Sequence, residues 1–259
     1  AFGALGGEFS SLSSNPAGIG MYQFSEVTFT PSLNLNNTKS YYNSSNLTSY
    51  KSESYIGNIG AIFTIPQKKS EWKRVNIGIG WNQLANYNNK INIEGINHES
   101  SIVDQIIAIT NGTLIGELTN GQGNSYSEMA WNTYLIDPLV DNNGLVDGVY
   151  VSNLSSQSKI QSKVITNIGG MNELVFSIGG SYKEKLYIGG TIGIPKIDYY
   201  EYSEYTERVI SDSANNLRQM LFSEEISAYG TGFNIKVGAI YRLSEQVKIG
   251  GSLHTPTFF

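Results

Sequence analysis

The chain has 259 residues, enough for one large domain or two small ones, with 17 Lys and Arg against 22 Asp and Glu and a formal net charge of −5. That balance lacks the basic face of a nucleic-acid binder, and the absence of Cys removes disulfides, thiol nucleophiles and zinc–thiolate centres. Charged residues are only 15% of the chain, below the roughly 25% usual for soluble domains, and no run approaches the roughly 18 apolar residues of a membrane-spanning helix.

Residues 1–24 open on "AFGALGGEF" with no initiator Met, so the start reads as processed or cut. Within "SSLSSNPAGIGM" the Asn15-Pro16 step favours a turn, because the residue before a proline is pushed out of the helical region. Alone, this is a surface turn ahead of a strand. Placed before a barrel it becomes part of a plug, with Asn15, Pro16, Ala17 and Gly18 as a gate. Pro16 fixes the backbone, and Ala17 and Gly18 permit close packing.

From residue 25 the pattern is period two, the signature of strands. Val27, Phe29, Leu33 and Leu35 alternate with Glu26, Thr28, Thr30, Ser32 and Asn34, and Pro31 on the apolar side predicts a bulge or bend. Val75, Ile77, Ile79 and Trp81 repeat the pattern, followed by Leu174, Phe176 and Ile178, then Leu186, Ile188, Ile192 and Ile194. Phe233, Ile235, Val237, Ala239 and Tyr241 come next, and Val247, Ile249 and Leu253 close the series. In several of these strands the second face is Gly, Asn, Ser or Thr. A soluble sandwich also alternates, but these patterns outrun the five or six residues or so of its usual strands. Seven strands are predicted, at about 25–43, 53–66, 73–93, 160–181, 186–207, 224–242 and 246–259. The expected fold is an all-β transmembrane antiparallel barrel, with apolar side chains toward lipid and a polar lumen.

The connections agree with that arrangement. Those at 66–73, 182–185 and 242–246 are short and charged, while those at 44–52, 94–159 and 209–223 are long, as turns and loops on opposite sides of an outer membrane are. Trp72, Trp81, Tyr182, Tyr187 and Tyr241 are expected in aromatic girdles. An odd strand count leaves an open edge in lipid, so the residues are expected to be part of a longer polypeptide.

In the long connection, "SSIVDQIIAIT" sets Ile102, Val103, Ile106, Ile107 and Ile109 at helical spacing behind a cap at Ser100 or Ser101. "SYSEMAWNTYLI" pairs Ser125 with Glu128 as a capping box ahead of Met129, Trp131, Tyr134 and Leu135. A third helix is predicted over 214–222. These helices either pack on one another over the barrel mouth or form an external capture surface for a hydrophobic ligand, through Ile102, Ile106, Ile107, Met129, Trp131 and Leu135. Chemistry is sparse. His98 and His254 lie far apart, the glycines of "IGGTIG" open no helix, and no metal, cofactor or catalytic constellation emerges, so an enzyme is not expected.

The stretches "AFGALGGEFSSLSSNPAGIGMYQFSEVTFTPSL" and "GTGFNIKVGAIYRLSEQVKIGGSLHTPT" resemble the FadL family of outer-membrane transporters, especially its Bacteroidetes-like branch. The resemblance implies a fourteen-stranded barrel in the bacterial outer membrane, of which this chain is the N-terminal half. Residues 1–24 would form the hatch, and residues 25–259 seven strands with the external loop 94–159. It implies uptake of hydrophobic compounds such as long-chain fatty acids, captured by external loops and released sideways through a kink in the third strand, at about 81–89. The candidates there are Trp81, Asn82, Leu84, Asn86 and Asn88. The partners implied are hydrophobic small molecules and outer-membrane lipids, with no nucleic acid. The alternative is a non-transporting barrel that scaffolds or anchors a protein partner.

Overall fold

A computed structural model describes residues 4, 6–154, 158–210 and 217–259. The chain is all-β and mostly antiparallel, and no helix among the described residues is long and apolar enough to cross a membrane. Two short 3-10 turns, Phe9–Ser13 and Pro16–Met21, precede β1 (Glu26–Tyr42), β2 (Ser45–Pro66), β3 (Trp72–Asn86) and β4 (Asn89–Asn97). Three helices follow, α1 (Ile102–Thr110), α2 (Ile115–Thr119) and α3 (Ser125–Asn132), and then a hairpin of β5 (Ile136–Asp141) and β6 (Gly144–Ser152). The sheet resumes with β7 (Lys159–Tyr182), β8 (Leu186–Val209), β9 (Gln219–Thr231), β10 (Asn234–Arg242) and β11 (Lys248–His254).

The large sheet has the order β1-β2-β3-β7-β8-β10-β11, with β4 beside β7 and β9 beside β8. β3 and β4 are two segments of one long track along β7, and β9 and β10 are two segments of one track along β8. Bulges interrupt the register at Thr30/Pro31, as Pro31 predicts, and at Gln83/Ala85. β1 and β11, at the ends of the order, are each paired on one side only among the described residues.

The two faces of the sheet are inverted relative to a water-soluble fold. One face carries Val27, Phe29, Phe63, Ile77, Ile79, Phe176, Ile178, Ile188, Ile192, Ile235, Val237 and Ile249, all exposed. The opposite face carries Asn76, Asn82, Glu173, Ser177, Thr191, Asn234 and Lys236, all buried. The 3-10 turns lie on this polar face, where Phe9, Leu12, Ile19 and Tyr22 cluster with Ile62 and Val175. From Ile188 to Ile194 the apolar side of β8 runs seven residues, about 20 Å of extended strand. Beyond it the same side turns polar, with a Lys196–Asp198 ion pair of 3.1 Å.

Several local expectations are corrected. The segment 44–52 is strand, not a long loop: β1 and β2 meet at an Asn43-Ser44 turn, with Tyr42 opposite Ser45 and Asn43 at φ 50. Residues 219–222 open β9, so the helix predicted over 214–222 is absent there, and 214–216 lie outside the described residues. Ser125 is not the cap of α3. Asn124 is, its side chain accepting from the Tyr126 amide, while Glu128 instead accepts from the Gly123 amide. Tyr187 joins no girdle, because it is buried on the polar face against Ala17 and Ile240.

Candidate functional site

Three places concentrate the distinctive chemistry: the N-terminal turns against the polar face, the break between β3 and β4, and a cleft beside the helices.

Asn15 is fully buried and sets the first place. Its side chain accepts from the Ala17 amide at 3.0 Å, which caps the turn, and donates to the carbonyls of Ala239 (3.4 Å) and Gly251 (3.3 Å) in the sheet. This contact depends on glycine. A Cβ on Gly238 would sit 1.9 Å from the Asn15 amide oxygen, and one on Gly189 would sit 2.2 Å from the Pro16 carbonyl. The Asn76 side chain donates to the Ile19 carbonyl at 2.6 Å and to that of Tyr22 at 3.1 Å. Nearby, the Lys236 ammonium donates to both oxygens of Glu173 at 2.8 and 2.7 Å, and Asn234 donates to the same carboxylate at 3.0 Å. Ser13 extends this network to the N-terminal segment, accepting from Asn82 at 2.9 Å. Asn15, Pro16, Ala17 and Gly18 therefore sit together on the polar face, all buried.

At the second place the sheet changes its mode of pairing. β2 pairs with β3 only as far as Asn58 opposite Asn82, and its remainder pairs with β1 alone. Above that level β4 has backbone pairing with β7 only. Its other edge is met by side chains of the β1–β2 hairpin. Asn36 donates to the Asn88 carbonyl at 2.5 Å, Asn43 donates to the Ile96 carbonyl at 2.7 Å, and Ser49 accepts from the Asn92 amide at 3.1 Å. Thr38 also donates to the Asn89 side chain at 2.9 Å. A seam made of asparagine and serine thus replaces a backbone ladder. Of the candidates for a kink, Trp81 and Asn82 stand in regular pairing with both neighbours. Leu84 falls within the bulge, Asn86 ends β3, and Asn88 lies in the break before β4. Among these candidates, departure from regular pairing is therefore confined to 84–88.

The third place is built by the helices. Ser101 caps α1 in a capping box with Asp104, and the buried carboxylate of Glu207 on β8 accepts from the Ser101 hydroxyl at 2.5 Å and the Ile102 amide at 2.9 Å. A negative group at a helix N-terminus satisfies its free amides and its dipole. The helices pack on one another and on the sheet. Ile106 and Leu135 lie in a core with Val103, Leu118, Ile136 and Tyr150, and Ile102, Ile107 and Trp131 are half-buried against it. An apolar cleft of about 370 Å³ remains between α3 and the start of β9, lined by Ile106, Met129, Leu135, Met220, Leu221 and Phe222 among others. Of the six candidate capture residues, Ile106, Met129 and Leu135 line this cleft and Ile102, Ile107 and Trp131 do not. Residues 219–222, expected beside these helices as a third helix, take part as the first residues of β9.

No group of His, Asp and Glu among the described residues is arranged to hold a metal ion. His98 bonds to Ser158 and His254 to the Ser14 carbonyl, at separate places. No protein-family model, curated protein or solved structure matches the chain.

Proposed function

We propose that the chain forms part of a bacterial outer-membrane β-barrel of the FadL kind, which admits hydrophobic compounds such as long-chain fatty acids and carries out no catalysis. The observation that carries this reading is the inversion of the sheet. Large aliphatic and aromatic side chains are exposed on one face while Asn, Ser, Thr, Gly and a Glu–Lys pair are buried on the other. In water that arrangement is unfavourable, since each aliphatic side chain withdrawn from water is worth about 1.5–3 kcal/mol. Around a barrel in lipid it is the required one.

In this reading residues 1–24 are the plug, resting on the lumen wall through Asn15 and Asn76. The cleft between α3 and β9 takes up the ligand outside. The side-chain seam along β4 is the route by which it leaves sideways, since side-chain hydrogen bonds open without breaking the ladders on either side. The experiment is uptake of a fluorescent long-chain fatty acid by liposomes containing the purified protein. Accumulation above protein-free liposomes is expected. Equal accumulation, together with a stoichiometric protein that co-purifies, would replace transport by the scaffold reading.

A further inference from the structure

The three short turns at one end of the sheet join into a single charged rim. The Lys183 amide of the β7–β8 turn donates to the Glu71 carbonyl of the β2–β3 turn at 2.9 Å, and the Arg242 amide at the end of β10 donates to the Lys185 carbonyl at 2.8 Å. The rim is basic. Lys68, Lys69, Lys73 and Arg74 belong to the first turn, Lys183 and Lys185 to the second, and Arg242 and Lys248 flank the third, against Glu71, Glu184 and Glu245. Eight of the 17 basic residues thus stand with three of the 22 acidic ones, and the rest of the chain carries nine against nineteen. Two of the three acids are already paired, Glu71 with Lys183 at 2.8 Å and Glu184 with Arg74 at 3.1 Å. Lys68, Lys69, Lys73 and Lys185 are exposed and form no ion pair among the described residues.

Below the lysines the outward face changes in layers. Trp72 and Tyr182 meet edge to face at 5.5 Å, and the Lys183 ammonium lies 5.3 Å from the centre of the Tyr182 ring. Val75 and Ile188 follow, on either side of Gly180. Then comes an apolar groove of about 600 Å³ lined by Ile77, Ile178, Gly190, Ile192 and Val237 among others. Its one charged member, Lys236, turns its ammonium to the opposite face, onto Glu173. Room is left there because Gly190 stands opposite Ile178 and Val237 without a side chain. Gly190 is five residues from Lys185 along β8, about 16 Å of extended strand, within one leaflet of a hydrocarbon core roughly 30 Å thick. Basic residues, then aromatic rings, then apolar surface match in turn the phosphate, the interface and the acyl chain of a phospholipid.

We propose that the rim and the groove together hold an anionic phospholipid, its phosphate at the lysines of the turns and one acyl chain in the groove beside Gly190. Charge complementarity selects the occupant. A headgroup of net negative charge is drawn to this rim, a zwitterionic one much less so, and the acidic remainder of the chain offers it no comparable place. The proposal rests on the reading of the sheet as a wall in lipid, and it adds which lipid lies against the short-turn end.

The test is native mass spectrometry of the protein released from nanodiscs of mixed phosphatidylcholine and phosphatidylglycerol, which reads the lipids it retains. Phosphatidylglycerol should be enriched about fivefold over its share of the bilayer, the scale of one Lys at an anionic surface. Lys68→Gln, Lys69→Gln, Lys73→Gln and Lys185→Gln combined should bring it back to that share. Lys39→Gln with Lys90→Gln, exposed lysines toward the other end, should leave the enrichment intact. Gly190→Leu, where a Cβ meets nothing nearer than 3.7 Å, should lower retention of both lipids and keep their ratio. No enrichment in the unaltered protein, enrichment that survives the four substitutions, or equal loss in the Lys39 and Lys90 variant overturns the proposal. Undiminished retention in Gly190→Leu overturns the placement of the acyl chain. Glycerol phosphate that displaces the lipid at equal concentration would make the rim a site for soluble anions and overturn the lipid assignment. Failure to enter nanodiscs of phosphatidylcholine alone would overturn the wall in lipid and this proposal with it, whereas entry without enrichment overturns this proposal alone.

Discussion

Lys236 and Glu173 form a two-pronged ion pair on the covered face of the sheet, at 2.8 and 2.7 Å, with the carboxylate fully buried. Their Cα atoms belong to β10 and β7, two tracks that flank β8, and Ser13 of the N-terminal segment lies 3.4 Å from the same carboxylate. Removing one partner of a buried pair leaves an uncompensated charge and costs about 3–5 kcal/mol, whereas replacing both by neutral groups is close to neutral. Lys236→Met should therefore lower stability by that amount, and Lys236→Met with Glu173→Gln should recover most of it. Urea unfolding of the single and double variants checks this. Equal loss in both would mean that the pair itself, not the orphaned charge, sets the stability.

Asn15 approaches the wall only because position 238 has no side chain. Gly238→Ala puts a methyl group 1.9 Å from the Asn15 amide oxygen, so the N-terminal segment has to withdraw while the β10 ladder stays. The chain lacks Cys, which makes a cysteine introduced at the buried Ala17 a unique reporter. Thiol labelling at that position should quicken in Gly238→Ala and in Asn15→Ala, the latter through loss of a cap worth about 1 kcal/mol. Small-solute leakage through liposomes should rise in parallel. Deleting residues 1–20 sets the upper limit of leakage, and a deletion that leaves permeability unchanged would refute a plugging role.

The parts of the fold that the sequence made legible are those where one face of the sheet is uniformly apolar and the other polar. Val75 to Trp81 and Leu174 to Ile178 alternate cleanly, and their strands lie where period two put them. The beginning of β2 carries no strand signal because both its sides are polar there. Leu47, Ser49, Lys51 and Glu53 share the side turned toward the seam, and Thr48, Tyr50 and Ser52 the other. Met220, Leu221 and Phe222 misled in the opposite direction. The helices cover Met220 on one side of β9 while Leu221 is exposed on the other, which erases the alternation. The seam joins residues far apart in the chain, such as Asn36 and Asn88, so no local pattern announces it.

The cleft between α3 and β9 yields a prediction confined to ligand capture. Met129 is 47% exposed at its edge, so a polar replacement there disturbs little packing. Met129→Asp places a carboxylate beside Leu135 and Phe222, where a fatty tail would have to desolvate it. The half-saturating concentration for fatty-acid uptake should rise severalfold, with the maximal rate and the unfolding midpoint unchanged. A lowered maximal rate at unchanged half-saturation would move capture away from this cleft.

Thr38 and Asn89 offer the most direct control of the seam, because their side chains already meet at 2.9 Å across it. The strands bearing them share no backbone ladder, so only side chains resist their separation, each hydrogen bond contributing about 1 kcal/mol. Replacing both by cysteine allows one disulfide in a chain that otherwise has none. Oxidation should stop release of fatty acid into the bilayer while capture in the external cleft continues, and a reductant should restore release. Binding and uptake measured on the same liposomes separate the two steps. Undiminished uptake in the fully oxidised variant would place the exit elsewhere, and loss of binding together with uptake would mean that the seam and the cleft move as one unit.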